Sequence, residues 1–136
     1  MAIKMIVSDL DGTLLDGAYR LSAENRAALQ KAAARGVLVT LATGRMFRSA
    51  ARYARELGLD SPVISYNGAL VQAMDGAVLA SAFLSPEVVT KTLRYIFSRG
   101  WYVQLYTTES FFYAAETEAA LSLIHISEPT RRSYIS

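Results

Sequence analysis

Short apolar runs alternate with helical stretches from the start of this chain, and that alternation restricts the fold more than any other feature. Residues 3–8 (IKMIVS) form an apolar, β-branched run that stops at an acidic turn, as a buried strand does. Residues 22–35 follow as an alanine-rich helix pattern, with Ser22 as N-cap and Gly36 as its end. Residues 37–42 (VLVTLA) are apolar nearly throughout, the composition of a strand covered on both faces. A second helix is predicted over residues 46–57. There Met46, Phe47, Ala50, Ala51, Ala54 and Leu57 share one side at about 100° per residue. Arg45, Arg48, Arg52 and Arg55 fall roughly opposite, the last three as a solvated face, and Gly58 stops the helix. Residues 62–66 (PVISY) predict a third strand that closes at Asn67-Gly68.

The order β-α-β-α-β with short connections implies parallel strands joined by right-handed crossovers. The predicted fold class is therefore α/β, the first half of a doubly wound parallel sheet. Ligands in such sheets bind beyond the carboxyl ends of the strands, which here means residues 8–13, 43–45 and 67–68. The pattern then changes. Leu70-Val71 and Val78-Leu79 flank Met74-Asp75-Gly76, a hairpin signature. Ser85-Pro86-Glu87 starts a helix with a cap, a proline and an acid in order, and that helix runs to about Arg99 before Gly100. Two aromatic-rich strands are predicted over 101–107 and 111–114. Trp101, Tyr102, Tyr106, Phe111, Phe112 and Tyr113 are expected to form the core of a small sheet.

Composition narrows the class. Hydrophobic residues make up 52% and charged residues 19% of the 136, enough for a packed core. A net charge of +2 gives no electrostatic reason for a nucleic-acid or membrane partner. With no cysteine, disulfides and thiolate metal sites are excluded, and the cytoplasm is the expected compartment. No signal-peptide core is visible, and no run approaches the roughly 18 apolar residues of a membrane span.

Chemistry concentrates after the first strand, in Asp9-Leu10-Asp11-Gly12-Thr13. On an extended backbone, residues two apart point to the same side, so Asp9 and Asp11 can face one pocket at roughly 6–7 Å between α-carbons. Two close carboxylates repel, and a hard cation such as Mg²⁺ relieves the repulsion. The pair suits phosphoryl transfer: one carboxylate attacks phosphorus and forms an aspartyl-phosphate, and the other donates a proton to the leaving oxygen and then activates water. Gly12 permits a sharp turn beside the ligand. The same residues alone also describe a plain Asp-Gly turn. At the end of the second strand, Thr43-Gly44-Arg45 offers a hydroxyl, close backbone approach and a forked cation at a helix start, features that suit an anion. A simple Thr cap with a solvated arginine is the other reading. Asn67-Gly68 is first of all a turn, and at a strand end Asn67 can also present its amide to a substrate.

The runs IVSDLDGTLL, LATGR and ISYNGA closely resemble the opening of the haloacid-dehalogenase superfamily, and their spacing is most similar to its Cof-type sugar-phosphatase branch. The resemblance covers residues 3–120. It implies a Mg²⁺-dependent phosphomonoester hydrolase acting on a small phosphorylated metabolite such as a sugar phosphate. Asp9 would be nucleophile and metal ligand. Asp11 would be general acid/base, with its backbone carbonyl on the metal. Thr43 would bind the phosphate with Gly44 and Arg45 beside it. Residues 1–83 would then be the N-terminal half of a Rossmann-like core, and residues 84–120 the beginning of an inserted α/β cap that selects the substrate.

The departures from the family pattern are as informative. The family also needs a lysine and an acidic cluster, both expected well downstream, and Lys91 in the cap helix region is no substitute. Residues 121–131 (LSLIHISEPTR) resemble one reading frame of a sequencing-library adapter, although an ordinary strand or helix end is the other reading. Residues 121–136 are accordingly expected to be a non-native tail, and His125 within it receives no role. The 136-residue chain is expected to fold poorly and show little activity, while its parent is active. A phosphomutase of the same superfamily shares these motifs and stays open. A receiver domain is disfavoured because the third strand ends in Asn67-Gly68 without an aspartate. A non-catalytic scaffold is disfavoured because Asp9, Asp11 and Thr43 are all present. Oligomeric state has no signature.

Overall fold

Strand β1 (Met5–Ser8) pairs in parallel with β2 (Leu38–Leu41), in the register Met5 with Leu38 and Ser8 with Leu41. The structure is a computed structural model that describes residues 3–113 and 132–134. Helix α1 (Ala23–Ala33) makes the crossover, and the Ser22 hydroxyl accepts from the Asn25 N–H at 3.1 Å, the predicted cap. Helix α2 (Phe47–Leu57) makes the next crossover and ends on Gly58 at φ 71°, a left-handed stop that suits glycine. Strand β3 (Val63–Ser65) joins β2 through a parallel bridge between Ala42 and Ile64. The predicted β-α-β-α-β order is therefore observed.

A short 3₁₀ turn (Tyr66–Gly68) then reverses the chain into β4 (Leu70–Gln72), antiparallel to β3, and β5 (Val78–Ser81) pairs antiparallel with β4. The Asp75 carboxylate accepts from the Ala77 N–H at 2.9 Å and Gly76 adopts φ 98°, which closes the predicted hairpin. The sheet system is thus mixed, parallel through β1–β3 and antiparallel beyond. These elements belong to a compact unit, Met1–Ala82, whose core joins Leu10, Val39, Leu41, Ala50, Ala51, Ala54, Leu57, Val63 and Leu70.

Progressive strand order with right-handed crossovers sets α1 and α2 on one face of the parallel strands, where they touch each other and β2. The other side differs from expectation. Leu38 is 43% exposed, with Met5 and Val7 also exposed, so the expected coverage of both faces is not observed among the described residues.

The second unit, Phe83–Ser136, contains helix α3 (Pro86–Ser98), capped by the Ser85 hydroxyl accepting from the Val88 N–H at 3.3 Å. Strand β6 (Gln104–Tyr106) pairs antiparallel with β7 (Phe111–Tyr113). The aromatic cluster does not behave as one core. Phe111 and Tyr113 are buried, because alternate residues of β7 share a face. Trp101, Tyr102 and Tyr106 are exposed, and Trp101 packs edge-on against Tyr95 of α3 at 6.1 Å. Arg132–Tyr134, inside the stretch expected to be a tail, forms β8 parallel to β7. Ala114 and residues 121–131, including His125, lie outside the described residues. No helix among the described residues is long and apolar enough to cross a membrane.

Candidate active site

The loops after β1, β2 and β3 are tied to one another, as the rule for parallel sheets requires. After β1 the chain leaves the sheet with Asp9 exposed, Leu10 fully buried and Asp11 exposed. The alternation anchors the loop in the core through Leu10 and leaves both carboxylates at the surface. The Leu10 carbonyl accepts from the N–H groups of Leu14 and Leu15 at 3.0 and 2.8 Å, which curls the loop back. Gly12 sits at φ 75°, a conformation open to glycine and costly for other residues. Among the described residues, no group hydrogen-bonds the Asp9 carboxylate; the Ser8 hydroxyl donates to its backbone carbonyl instead.

After β2, Thr43 is buried, and its hydroxyl accepts from the Arg45 N–H at 3.2 Å. This turn precedes the helix, whose N-cap is Met46 without any side-chain cap. Thr43 therefore shapes the loop rather than capping α2, and the helix N-terminus lies beyond the Thr43-Gly44-Arg45 segment expected to use it. The third loop closes on this one. The Asn67 N–H donates to the Thr43 carbonyl at 3.1 Å and the Tyr66 N–H to the Arg45 carbonyl at 3.0 Å. Asn67 itself adopts φ 55°. A Cβ added to Gly44 would lie 2.9 Å from the Asn67 side-chain oxygen, so glycine is what lets the two residues meet. Asn67 is thus both the turn residue and a neighbour of the second motif.

Arg45 departs most from expectation. Its side chain is 7% exposed, whereas Arg48, Arg52 and Arg55 are exposed as predicted. Arg45 precedes the helix, so helical period does not fix its direction; the loop hydrogen bonds do. Its Nε donates to Asp11 Oδ2 at 2.7 Å and a terminal nitrogen donates to Asp11 Oδ1 at 2.5 Å. This two-point fork holds a planar carboxylate in one orientation. The bond to Asp11 raises the Arg45 pKa, with desolvation by burial opposing it. The other terminal nitrogen reaches the Ser49 hydroxyl at 3.3 Å. The rings of Tyr19 and Tyr53 lie 5.4 and 5.2 Å from the guanidinium carbon.

The geometry joins Asp11, Thr43, Gly44, Arg45 and Asn67 through direct contacts, with Asp9 and Gly12 in the same β1 loop as Asp11. The arginine expected to await an anion is already neutralised by Asp11. Sequence reasoning missed Tyr19, Ser49 and Tyr53. Ser49 and Tyr53 stand four residues apart on α2, a spacing that puts them on one side of the helix, but nothing in the sequence aims Arg45 at that side. Tyr19 carries no such signal. Among the described residues, no three His, Cys, Asp or Glu side chains come together as a metal site.

The family model described as haloacid dehalogenase-like hydrolase matches residues 6–135. The chain belongs to this family. A curated relative, the 5-amino-6-(5-phospho-D-ribitylamino)uracil phosphatase YwtE of Bacillus subtilis, is 32% identical over 119 residues, which cover 88% of this chain and 41% of the relative. Phosphatase YwpJ of the same organism is 30% identical over 110 residues, 81% of this chain and 39% of its own length. The chain therefore spans about two fifths of these haloacid dehalogenase-like relatives. Among solved structures, a haloacid dehalogenase-like hydrolase from B. subtilis superposes with a TM-score of 0.79 at 28% identity, covering 89% of this chain and 42% of that one. TM0651 from Thermotoga maritima superposes at 0.75 with 27% identity, over 96% of this chain and 49% of its own.

Proposed function

We propose that this sequence carries the nucleophile half of a Mg²⁺-dependent phosphomonoester hydrolase of the haloacid dehalogenase-like family, acting on a small phosphorylated metabolite through an aspartyl-phosphate. The observation that carries the reading is the inequality of the two aspartates. The Asp9 carboxylate is exposed and has no hydrogen-bond partner among the described residues, while both oxygens of Asp11 are held by Arg45. A nucleophile must be able to reach phosphorus, and a general acid/base must be oriented.

In this reading Asp9 attacks phosphorus, the bond to the leaving oxygen breaks, and Asp11, once one of its oxygens has left the Arg45 fork and taken up a proton, delivers that proton to the leaving oxygen. Asp11 then takes a proton from the water that cleaves the Asp9 acyl phosphate and releases inorganic phosphate. The Thr43 hydroxyl, Gly44 and the Asn67 amide line the phosphate side, and Gly12 admits it to the loop. Mg²⁺ would be held by the Asp9 carboxylate and the Asp11 backbone carbonyl, and it supplies charge neutralisation for the phosphoryl oxygens. These donors fit that ion only in part. Asp11 cannot offer its side chain while Arg45 holds it, and no third acidic group joins them among the described residues. A cation held by these two groups alone would bind weakly, so turnover calls for a further ligand beside them. Residues 84–120 are read as the beginning of a substrate-selecting cap. The names of the phosphatase relatives YwtE and YwpJ support hydrolysis over mutase chemistry.

The test is p-nitrophenyl phosphate hydrolysis with Mg²⁺, in the shortest preparation of this sequence that shows turnover. Asp9→Asn should lower kcat/KM on the order of 10³-fold or more, and removal of Mg²⁺ by chelation should do the same. Turnover that survives Asp9→Asn removes Asp9 as nucleophile and ends the mechanism.

A further inference from the structure

We infer that Tyr19 and Tyr53 are positioning residues: they clamp the Arg45 guanidinium between loop and helix, and through it fix the Asp11 carboxylate. The inference rests on the phosphatase reading only for the role of Asp11; the clamp itself is geometric.

Tyr53 is buried on α2 and Tyr19 is half exposed on the loop before α1. Their rings stand 5.2 and 5.4 Å from the same guanidinium carbon, within the range of cation–π attraction. The tyrosines are also bonded to each other, since the Tyr53 hydroxyl donates to the Tyr19 carbonyl at 3.2 Å. Tyr19 adopts φ 58°, a left-handed conformation that a tyrosine holds only when its surroundings impose it. The surroundings are present in the Asp16 turn. The Tyr19 N–H donates to the Asp16 carbonyl, and the Asp16 carboxylate accepts from the N–H groups of Ala18 and Arg20.

The arrangement does more than fill space. Burial strips water from the guanidinium, so its fork to Asp11 faces little competition from solvent. The in-plane nitrogens serve Asp11 and Ser49, and the Tyr53 hydroxyl adds a polar contact to the guanidinium beside its ring. An Arg45 deprived of the rings keeps its charge and loses its direction. Asp11 then loses the orientation from which, with one oxygen released and protonated, it meets the leaving oxygen, and small misplacements of such groups cost on the order of 10²-fold in rate.

The test uses the ¹⁵N-labelled chain and the Nε–H resonance of Arg45, assigned by its disappearance in Arg45→Lys. In the parent chain this proton should exchange slowly with water. Tyr53→Leu and Tyr19→Leu should each accelerate exchange on the order of 10-fold, while Tyr53→Phe, which keeps the ring and loses only the hydroxyl's bonds to Tyr19 and Arg45, should accelerate it several-fold less. If Tyr53→Leu loses backbone amide dispersion, half-exposed Tyr19→Leu alone decides. Unchanged exchange in Tyr19→Leu and in any folded Tyr53→Leu overturns the clamp. In a preparation with turnover, Tyr53→Leu should lower kcat on the order of 10–100-fold with little change in KM, and Tyr53→Phe should recover most of that loss. Accelerated exchange with kcat unchanged overturns the positioning role. Asp9→Asn leaves Arg45 exchange untouched, so failure of the phosphatase reading is read separately.

Discussion

Asp16 shows how much one exposed residue can organise. Its Oδ1 accepts from two backbone N–H groups, at 2.8 Å from Ala18 and 2.9 Å from Arg20, and its Oδ2 meets Arg20 Nε at 3.1 Å. These bonds, led by the one from the Arg20 N–H, hold its pKa below the ordinary 3.8. A depressed carboxylate stabilises the folded loop above its unfolded pKa of about 3.9, and that contribution is lost as pH falls through the lower folded value. An NMR titration of the Asp16 carboxyl carbon should therefore give a midpoint below 3.8. Asp16→Ala should free Tyr19 and accelerate Arg45 exchange as Tyr19→Leu does; a midpoint at the ordinary value would remove the turn as a support. At this scale the sequence was legible where chemistry is local. Asp9, Asp11, Gly12 and Thr43 announce themselves by their place after apolar runs. The Arg45–Asp11 fork spans 34 positions and depends on how two loops approach, so no short pattern encodes it. The φ of Tyr19 was equally silent, because tyrosine gives no hint of a left-handed turn.

The two crossover helices are secured by different forces. Helix α2 buries Phe47, Ala50, Ala51, Tyr53, Ala54 and Leu57, whereas α1 buries no residue fully. Helix α1 is instead tied by polar contacts: the Ser22 cap, Asn25 Nδ2 to the Leu14 carbonyl at 3.2 Å, and Gln30 Nε2 to the Leu57 carbonyl at 3.2 Å. Arg26 adds a hydrogen bond to the Glu56 carbonyl at 2.9 Å and an ion pair with its carboxylate. Ser22→Ala should cost about 1 kcal/mol, the usual worth of an N-cap, and Leu57→Ala about 2–5 kcal/mol, the usual worth of a buried leucine. Urea denaturation separates the two, and equal losses would contradict the division. Helix starts and stops were readable because Ser22, Gly58 and Ser85-Pro86 act within one turn of the chain. The side that each helix presents was readable for α2, with its strong apolar stripe. For α1 the alanine-rich pattern left that side undefined, since alanine packs or stands in water with little difference.

Across the first unit, the unequal covering of the parallel strands is a consequence of topology with a measurable result. Both crossovers fall on one face because the strand order does not reverse between β1 and β3. The helices bury Val39 and Leu41, while Met5, Val7 and Leu38 remain 52%, 48% and 43% exposed. Ile3, 73% exposed, extends the row. Apolar runs in the sequence implied shielding on both sides; Met5, Val7 and Leu38 share the face that lacks it, although Thr40, opposite Val7 on that face, is buried. Apolar surface beside a β1 edge that pairs with no further strand among the described residues favours association. The chain should therefore bind the dye 8-anilinonaphthalene-1-sulfonate and lose solubility as its concentration rises. Changing Met5, Val7 and Leu38 together to threonine keeps β-propensity and removes most of the apolar surface. That variant should bind several-fold less dye and stay soluble at higher concentration, with an unchanged far-ultraviolet circular dichroism spectrum. If dye binding is low in the parent and unmoved by the substitutions, the face is covered in solution, and its exposure is not a property of the folded chain.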